Sequence, residues 1–402
     1  MKLRGYQKDF INDSIKYFKN NDKGIAQLAC GSGKSVIAIV LAEQLLKRKM
    51  IKGQVLVIVP TKLLVKQFEK EIIKIVDDDV VIEKIFSGEP RLSLSTPARY
   101  VITTYRSAVL HIYNTERKFA LIIFDEAHHL AGKEKSLTRL MKLPSQKKLF
   151  MTATKKVLRW WKDFKKKSGE APSTQKIVKL GDAQSMDDDE QFGNVFFKYL
   201  FNDAIGEKYL SPYKITIDNK IAYDMSHAAR YTTNAKKILL KYVRKYNAKR
   251  ILVFFNSIAM SENFESEFDD DEDNGVIVRH VDSKMKNKDR QAIIEWFRGD
   301  HDSRINGGDH EGAKVISNVN LFSEGVDIPI IDMILFGERK LSVIDIIQKI
   351  GRGLRICERK TILNIIIPRG SNKKKDIVTE KFIKKVKNFA IIGENDIVYN
   401  YG

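Results

Sequence analysis

Seven residues constrain this chain more than any others. Ala29-Cys30-Gly31-Ser32-Gly33-Lys34-Ser35 follows the apolar run Ile25-Ala26-Gln27-Leu28 and opens a helix-patterned stretch from Val36 to Met50. The order predicts a strand, a tight turn and a helix N-terminus. Glycines let such a turn aim several backbone N–H groups at one point, Lys34 adds a cation, and the Ser35 hydroxyl suits Mg²⁺. The natural ligand is a nucleoside triphosphate. The strict phosphate-loop pattern has glycine where Leu28 stands, so a plain glycine-serine turn remains the alternative at this point.

Downstream, apolar runs alternate with helical patterns. Gln54 to Pro60, Arg99 to Tyr105, Phe119 to Phe124 and Lys148 to Met151 read as strands buried on both faces of a parallel sheet. The alternation predicts an α/β, doubly wound architecture, in which ligands sit beyond the carboxyl ends of the strands. Polar groups fall at those ends: Thr61-Lys62, Thr103-Thr104-Tyr105, Asp125-Glu126-Ala127-His128 and Thr152-Ala153-Thr154. An acidic pair after an apolar strand supplies one carboxylate for Mg²⁺, Asp125, and one to orient an attacking water, Glu126.

A basic stretch from Lys155 to Lys179 surrounds Trp160-Trp161 and reads first as a solvated helix with its tryptophans packed inward, with nucleic-acid binding by charge and stacking as the alternative. A second α/β unit follows a boundary placed near 211–230. Its strand Arg250 to Phe255 ends in Asn256-Ser257, Val276 to Val281 and Lys314 to Ser317 are further strands, and Ile330 to Phe336 is another. Then comes Gln348-Lys349-Ile350-Gly351-Arg352-Gly353-Leu354-Arg355, with two arginines one helical turn apart and hence on one helix face. Guanidinium groups suit phosphate through paired donors.

With 402 residues and 43% hydrophobic content the chain can build two cores. The formal charge of +20 points to a polyanionic partner. Cys30 and Cys357 cannot build a disulfide framework, no Cys or His cluster has ligand spacing, and no apolar run is long enough to cross a bilayer or serve as a signal. We therefore expect a soluble, unsecreted protein without a structural metal.

Leu3-Arg4-Gly5-Tyr6-Gln7, Ala29 to Ser35, Val59-Pro60-Thr61, Thr103-Thr104-Tyr105, Asp125 to His128, Thr152 to Thr154, Glu324-Gly325-Val326-Asp327 and Gln348 to Arg355 together resemble the ordered motifs of superfamily 2 helicases of the DEAH type. Ser185 to Ala204, Ser317 to Val319 and Ser342 to Asp345 look closer to the helicase subunits of type I, III and ISP restriction systems and their stand-alone bacterial and viral relatives. The resemblance implies a P-loop NTPase of two tandem RecA-like domains with parallel sheets, spanning 1–210 and 211–370, and a basic C-terminal extension, 371–402.

It further implies ATP and Mg²⁺ as cofactors. By position, Gln7 would contact adenine, with Arg4 beside it in the nucleotide site, Gly31, Ser32, Gly33 and Lys34 would serve the phosphates, and Ser35 and Asp125 the metal. Glu126 would hold the water, and Arg352 and Arg355 the developing γ-phosphate charge. Gly325, Asp327 and Gln348 would complete the nucleotide site. His128, Thr152 and Thr154 would couple that site to a nucleic-acid strand met by Thr61, Lys62, Thr103, Thr104, Tyr105, Asn256, Ser257 and Asn318. Lys155 stands where the family often has proline. The expected activity is that of a nucleic-acid-stimulated ATPase moving along or remodelling DNA, ahead of RNA. The alternatives are an ATP-gated nucleic-acid clamp with little turnover and a P-loop kinase or transport ATPase. We expect a monomer in a bacterial, phage-infected or virus-infected cytoplasm, with protein partners supplying nuclease or other activity and no membrane contact.

Overall fold

The computed structural model describes residues 3–77, 79–88, 97–132, 134–155, 185–223, 228–268, 275–282, 284–299, 312–319, 330–338, 349–351, 353–357, 360–370 and 397–400. It divides into two compact units, Met1–Leu200 and Phe201–Gly402.

In the first unit, α1 (Gly5–Asn20) buries Tyr6, Phe10, Ile11, Ile15 and Phe18 along one stripe. Then come β1 (Lys23–Leu28), α2 (Lys34–Lys47), β2 (Val55–Val59), α3 (Lys62–Ile75), β3 (Ile82–Ile85), β4 (Tyr100–Thr104), α4 (Tyr105–His111), β5 (Phe119–Phe124), β6 (Ser145–Thr152) and β7 (Val195–Tyr199). The seven strands pair in the order β3-β4-β2-β5-β6-β1-β7, every pair parallel. Each residue of β2, β4 and β5 is buried, which is why these strands read as unbroken apolar runs. Phe124 stacks on Phe150 with centroids 5.0 Å apart, fixing the ends of β5 and β6 against each other. The strand expected to run through Tyr105 stops at Thr104, whose hydroxyl accepts from the Ser107 N–H at 3.3 Å and caps α4.

The second unit contains β8 (Tyr213–Tyr223), β9 (Arg250–Phe254), β10 (Val276–Val281), β11 (Ala313–Asn318), β12 (Met333–Phe336), β13 (Leu363–Gly370) and β14 (Ile397–Asn400). They form a second all-parallel sheet, ordered β10-β11-β9-β12-β13-β8-β14, with helices Ala228–Tyr246, Ile258–Ser266 and Asn287–Arg298 between strands.

Two observations bear on the limits of the units. The compact units divide after Leu200, and in the second of them Leu210 forms an antiparallel bridge with Arg355 while the Ser211 N–H donates to the Leu354 carbonyl at 2.6 Å. These contacts tie 210–211 to the second unit. The segment expected as a basic extension returns a strand to the second sheet, where β14 pairs with β8 from Ile397 opposite Ile215. Most of the basic stretch around Trp160-Trp161 lies outside the described residues. Among the described residues, no helix is long and apolar enough to cross a membrane.

Candidate active site

The loop between β1 and α2 owes its shape to two glycines. Gly31 and Gly33 adopt φ of 81° and 76°, and a Cβ at Gly33 would come within 3.0 Å of Gln7 Nε2. Behind the loop stands a scaffold from α1 and β7. The Tyr6 hydroxyl donates to the Ser32 carbonyl at 2.6 Å, Gln7 Nε2 reaches the same oxygen at 3.3 Å, and the Ala29 N–H donates to the Tyr199 carbonyl at 2.8 Å. The Tyr6 and Tyr199 rings stack, with centroids 3.9 Å apart. Gln7 Oε1 accepts from the Arg4 N–H at 3.0 Å. The amide expected to serve adenine therefore also braces the phosphate loop. Sequence reasoning assigns no role to Tyr6 or Tyr199; Tyr6 stands inside a recognisable motif, and nothing in the sequence pairs Tyr199 with it.

Asp125 and Glu126 follow β5, which pairs with β6, so that a single strand separates it from β1. The Asp125 N–H donates to the Ile58 carbonyl at 2.9 Å, and Glu126 turns the chain through a left-handed conformation, φ 49° and ψ 49°, into a short 3₁₀ turn, Ala127–Leu130. A non-glycine residue there is held by its surroundings at some cost in backbone energy. The compensation is visible: Lys34 Nζ lies 2.8 Å from Glu126 Oε1, with both side chains only 11% exposed. Burial works against the charge on Glu126, but Lys34 and His128 outweigh it and hold the carboxyl below the usual carboxylate range. Burial likewise opposes the Lys34 ammonium, but Glu126, Cys30 and Asp125 raise its pKa above the ordinary lysine value.

His128 Nδ1 lies 3.4 Å from Glu126 Oε2 and 3.2 Å from Thr152 Oγ1. The Thr152 hydroxyl spends its proton on the Thr154 carbonyl, so its oxygen accepts from His128 Nδ1. The Thr152 hydroxyl donates to the Thr154 carbonyl at 2.9 Å and accepts from the Thr154 N–H at 3.1 Å. Thr152 also pairs in register with Gln27 of β1. The coupling candidates thus form one buried chain, Glu126 to His128 to Thr152 to the Thr154 backbone.

The residues fit a nucleoside triphosphate with Mg²⁺. The Ser32 Oγ is buried without a hydrogen-bond partner among the described residues, the loop glycines leave room for phosphate oxygens, and Ser35 with Asp125 offers hard oxygen donors.

The strand-contact candidates separate into two groups. Thr61 caps α3, Lys62 donates to the Ser87 carbonyl at 2.7 Å, and Asn256 and Ser257 are exposed at the start of helix Ile258–Ser266. Thr103, Tyr105 and Asn318 are buried and bonded inward: Thr103 to the Ile85 carbonyl at 2.7 Å, Tyr105 to the Asp125 carbonyl at 2.7 Å, Asn318 to the Val253 carbonyl at 3.1 Å. Together with Thr104, spent on its cap, they shape strand ends rather than present free side chains.

Gly325, Asp327, Gln348 and Arg352 lie outside the described residues. Arg355 does not share a helix with the turn before it: residues 349–351 and 353 are helical, whereas Arg355 sits in the bridge to Leu210. One cluster with ligand-like spacing escapes the sequence. Glu262, His280 and Asp282 bring ligand atoms within 4.8 Å of one another, but both His280 nitrogens are engaged, with Ser261 Oγ at 2.7 Å and Asp282 Oδ2 at 3.2 Å.

Residues 1–157 match the family described as the res subunit of type III restriction enzymes, and residues 234–357 match the helicase conserved C-terminal domain. "Probable helicase A859L" of African swine fever virus is 25% identical over 91% of the chain, and the chain spans 41% of that relative's length. The "DNA 3'-5' translocase XPB2" of Sulfurisphaera tokodaii is 24% identical over 90% of this chain and 82% of its own. Among solved structures, the DNA-bound type ISP restriction-modification enzyme LlaBIII superposes over 99% of this chain and 31% of its own with a TM-score of 0.74 at 22% identity, a likeness of fold.

Proposed function

We propose, from a chain that belongs to helicase superfamily 2, that this protein is an ATP-driven motor acting on nucleic acid. The observation that carries this reading is the meeting of Lys34, on the phosphate loop, with Glu126, beyond β5, at 2.8 Å beside Asp125. Lys34 binds the β- and γ-phosphates, and the loop N–H groups cradle them. Ser35 and Asp125 would hold Mg²⁺, which when bound neutralises charge on the phosphate oxygens. An arriving γ-phosphate competes for the Lys34 ammonium and frees the Glu126 carboxylate to orient the attacking water and take its proton. Arg352 and Arg355, matched by motif position, would serve the developing charge on the transferred group. Through His128, the loss of the Lys34 partner reaches Thr152 and the strand ends that meet nucleic acid.

The translocase relative is named for DNA, and the LlaBIII enzyme was solved bound to DNA, which supports DNA ahead of RNA as the track. Steady-state ATP hydrolysis with single- and double-stranded DNA and RNA, side by side, tests the reading. Stimulation by one of the four is expected. ATP binding without turnover in any of them would favour the clamp instead.

A further inference from the structure

The segment that carries Arg355 is anchored with unusual completeness. Three successive carbonyls at the end of the short helical stretch, residues 349–351 and 353, are each held. The Leu354 oxygen accepts from the Ser211 N–H at 2.6 Å, the Gly353 oxygen from Lys360 Nζ at 2.5 Å, and the Arg355 oxygen from Lys360 Nζ at 2.5 Å and from Ser211 Oγ at 3.3 Å. Helix C-terminal carbonyls lack partners within the helix and attract cations, so an ammonium there satisfies both their geometry and their partial charge. Lys360 reaches them because the chain doubles back: its N–H donates to the Cys357 carbonyl at 3.0 Å, and the two residues form an antiparallel bridge. Gly353 leaves no slack, since a Cβ there would lie 2.8 Å from the Leu363 side chain.

We propose that Lys360 is a positioning residue for ATP turnover: its ammonium, bound to the carbonyl oxygens of Gly353 and Arg355, fixes the backbone from which the Arg355 guanidinium projects. This rests on the role given above to Arg355. Lys360 is 8% exposed. The titratable groups acting on it are the Cys357 thiol, on its own turn, and Asp332, ahead of β12, whose carboxylate accepts from the Lys249 N–H at 2.8 Å and the Arg250 N–H at 3.1 Å. Burial pushes the Lys360 pKa down to about 8, while Cys357 and Asp332 act in the opposite direction. Loss of that proton leaves an amine without the charge that holds two carbonyls at once, so the anchor weakens just above neutral pH.

The test measures kcat and KM for ATP in wild type, Lys360→Met, Lys360→Arg and Arg355→Ala between pH 7 and 9.5, with melting temperatures alongside. A misplaced catalytic group lowers turnover more than binding. We expect Lys360→Met to lose kcat roughly 10- to 100-fold with KM changed less than about threefold. Lys360→Arg, which keeps its charge at every pH used, should restore much of the turnover and lack the decline expected of wild type above about pH 8. Wild-type kcat in Lys360→Met, equal losses in the Met and Arg variants, or identical pH profiles for wild type and Lys360→Arg would each overturn the proposal. If Lys360→Met does not fold, the two pH profiles decide alone. Turnover surviving in Arg355→Ala overturns the reading of Arg355 and this inference with it. A silent Arg355→Ala beside an active Lys360→Met overturns this inference only.

Discussion

Lys34 and Glu126, 92 residues apart in sequence, form a buried ion pair at 2.8 Å between the phosphate loop and the end of β5. Each is the other's main charge partner, so neither can be replaced without exposing the other. Breaking one side of a buried pair leaves an uncompensated charge, whereas the amide of Gln keeps the shape and one hydrogen bond.

Glu126→Gln is therefore expected to bind ATP at least as well as wild type, because Lys34 is released from its carboxylate. Turnover should fall about 100-fold or more, the usual cost of removing a general base. Equilibrium titration with a fluorescent ATP analogue and a single-turnover assay check the two halves. Unchanged hydrolysis would remove Glu126 from the mechanism.

The same pair sets an acid limit on stability. Glu126 has its pKa lowered from 4.5 in the folded state, so the folded protein holds fewer protons there than the unfolded chain once pH drops below that value. The contribution is fully present above about 4.5 and is lost as pH falls further. Melting curves from about pH 6 down to about pH 3 should show wild type losing stability faster than Glu126→Gln. Parallel curves would show that the pair contributes nothing.

Gly33→Ala tests the loop. Its φ of 76° strains any residue with a Cβ, at about 1–2 kcal/mol, and the new methyl would press on Gln7 Nε2 at 3.0 Å. We expect ATP affinity to drop about tenfold. Gly88→Ala is the control, since Gly88 has φ of 88° but nothing within 4 Å of its would-be Cβ. It should share the strain and leave ATP binding alone. Equal losses of affinity would mean that strain, and not the brace at Gln7, governs the loop.

Thr152→Val removes the hydroxyl that joins His128 to the Thr154 backbone while keeping the volume of the side chain. Leaving buried groups unpaired costs about 1–3 kcal/mol, tolerable in a unit of this size. Basal ATP hydrolysis should stay within about threefold of wild type, while triplex displacement per ATP consumed falls. Proportional loss of both activities would make the turn structural.

With 71 Lys and Arg against 51 Asp and Glu, nucleic-acid affinity should fall steeply with salt. A log–log slope of about −0.9 per duplex phosphate neutralised is expected, with little dependence on base sequence. Gel-shift titrations of two unrelated duplexes at several salt concentrations measure both. A flat salt response would sink the electrostatic account.

What the sequence makes legible is what period and position encode. The unbroken apolar runs at Val55–Val59 and Phe119–Phe124 are fully buried central strands, and the acidic pair falls at a strand end as the α/β rule requires. Side-chain partners are not legible in this way. A threonine or asparagine at a strand end looks equally fit to reach outward or to bond inward, and Thr103 and Asn318 bond inward because their neighbours' carbonyls lie within reach. Spacing from Arg352 puts Arg355 on a helix face, yet its backbone is captured by Ser211 and Lys360, neither adjacent in sequence. The strand at Ile397–Asn400 is hidden for a similar reason: its partner, β8, lies nearly half the chain away.

The seventh strand of the first sheet has a consequence for synthesis. The phosphate loop begins at Ala29, but the carbonyl that holds its backbone and the ring that stacks on Tyr6 both belong to Tyr199. A nascent chain thus carries its nucleotide loop out of the ribosome early and unfinished, and the loop is completed only when residues 195–199 emerge and add β7 beside β1. Chains stalled before that point should leave the loop without the Tyr199 carbonyl and without the ring that stacks on Tyr6.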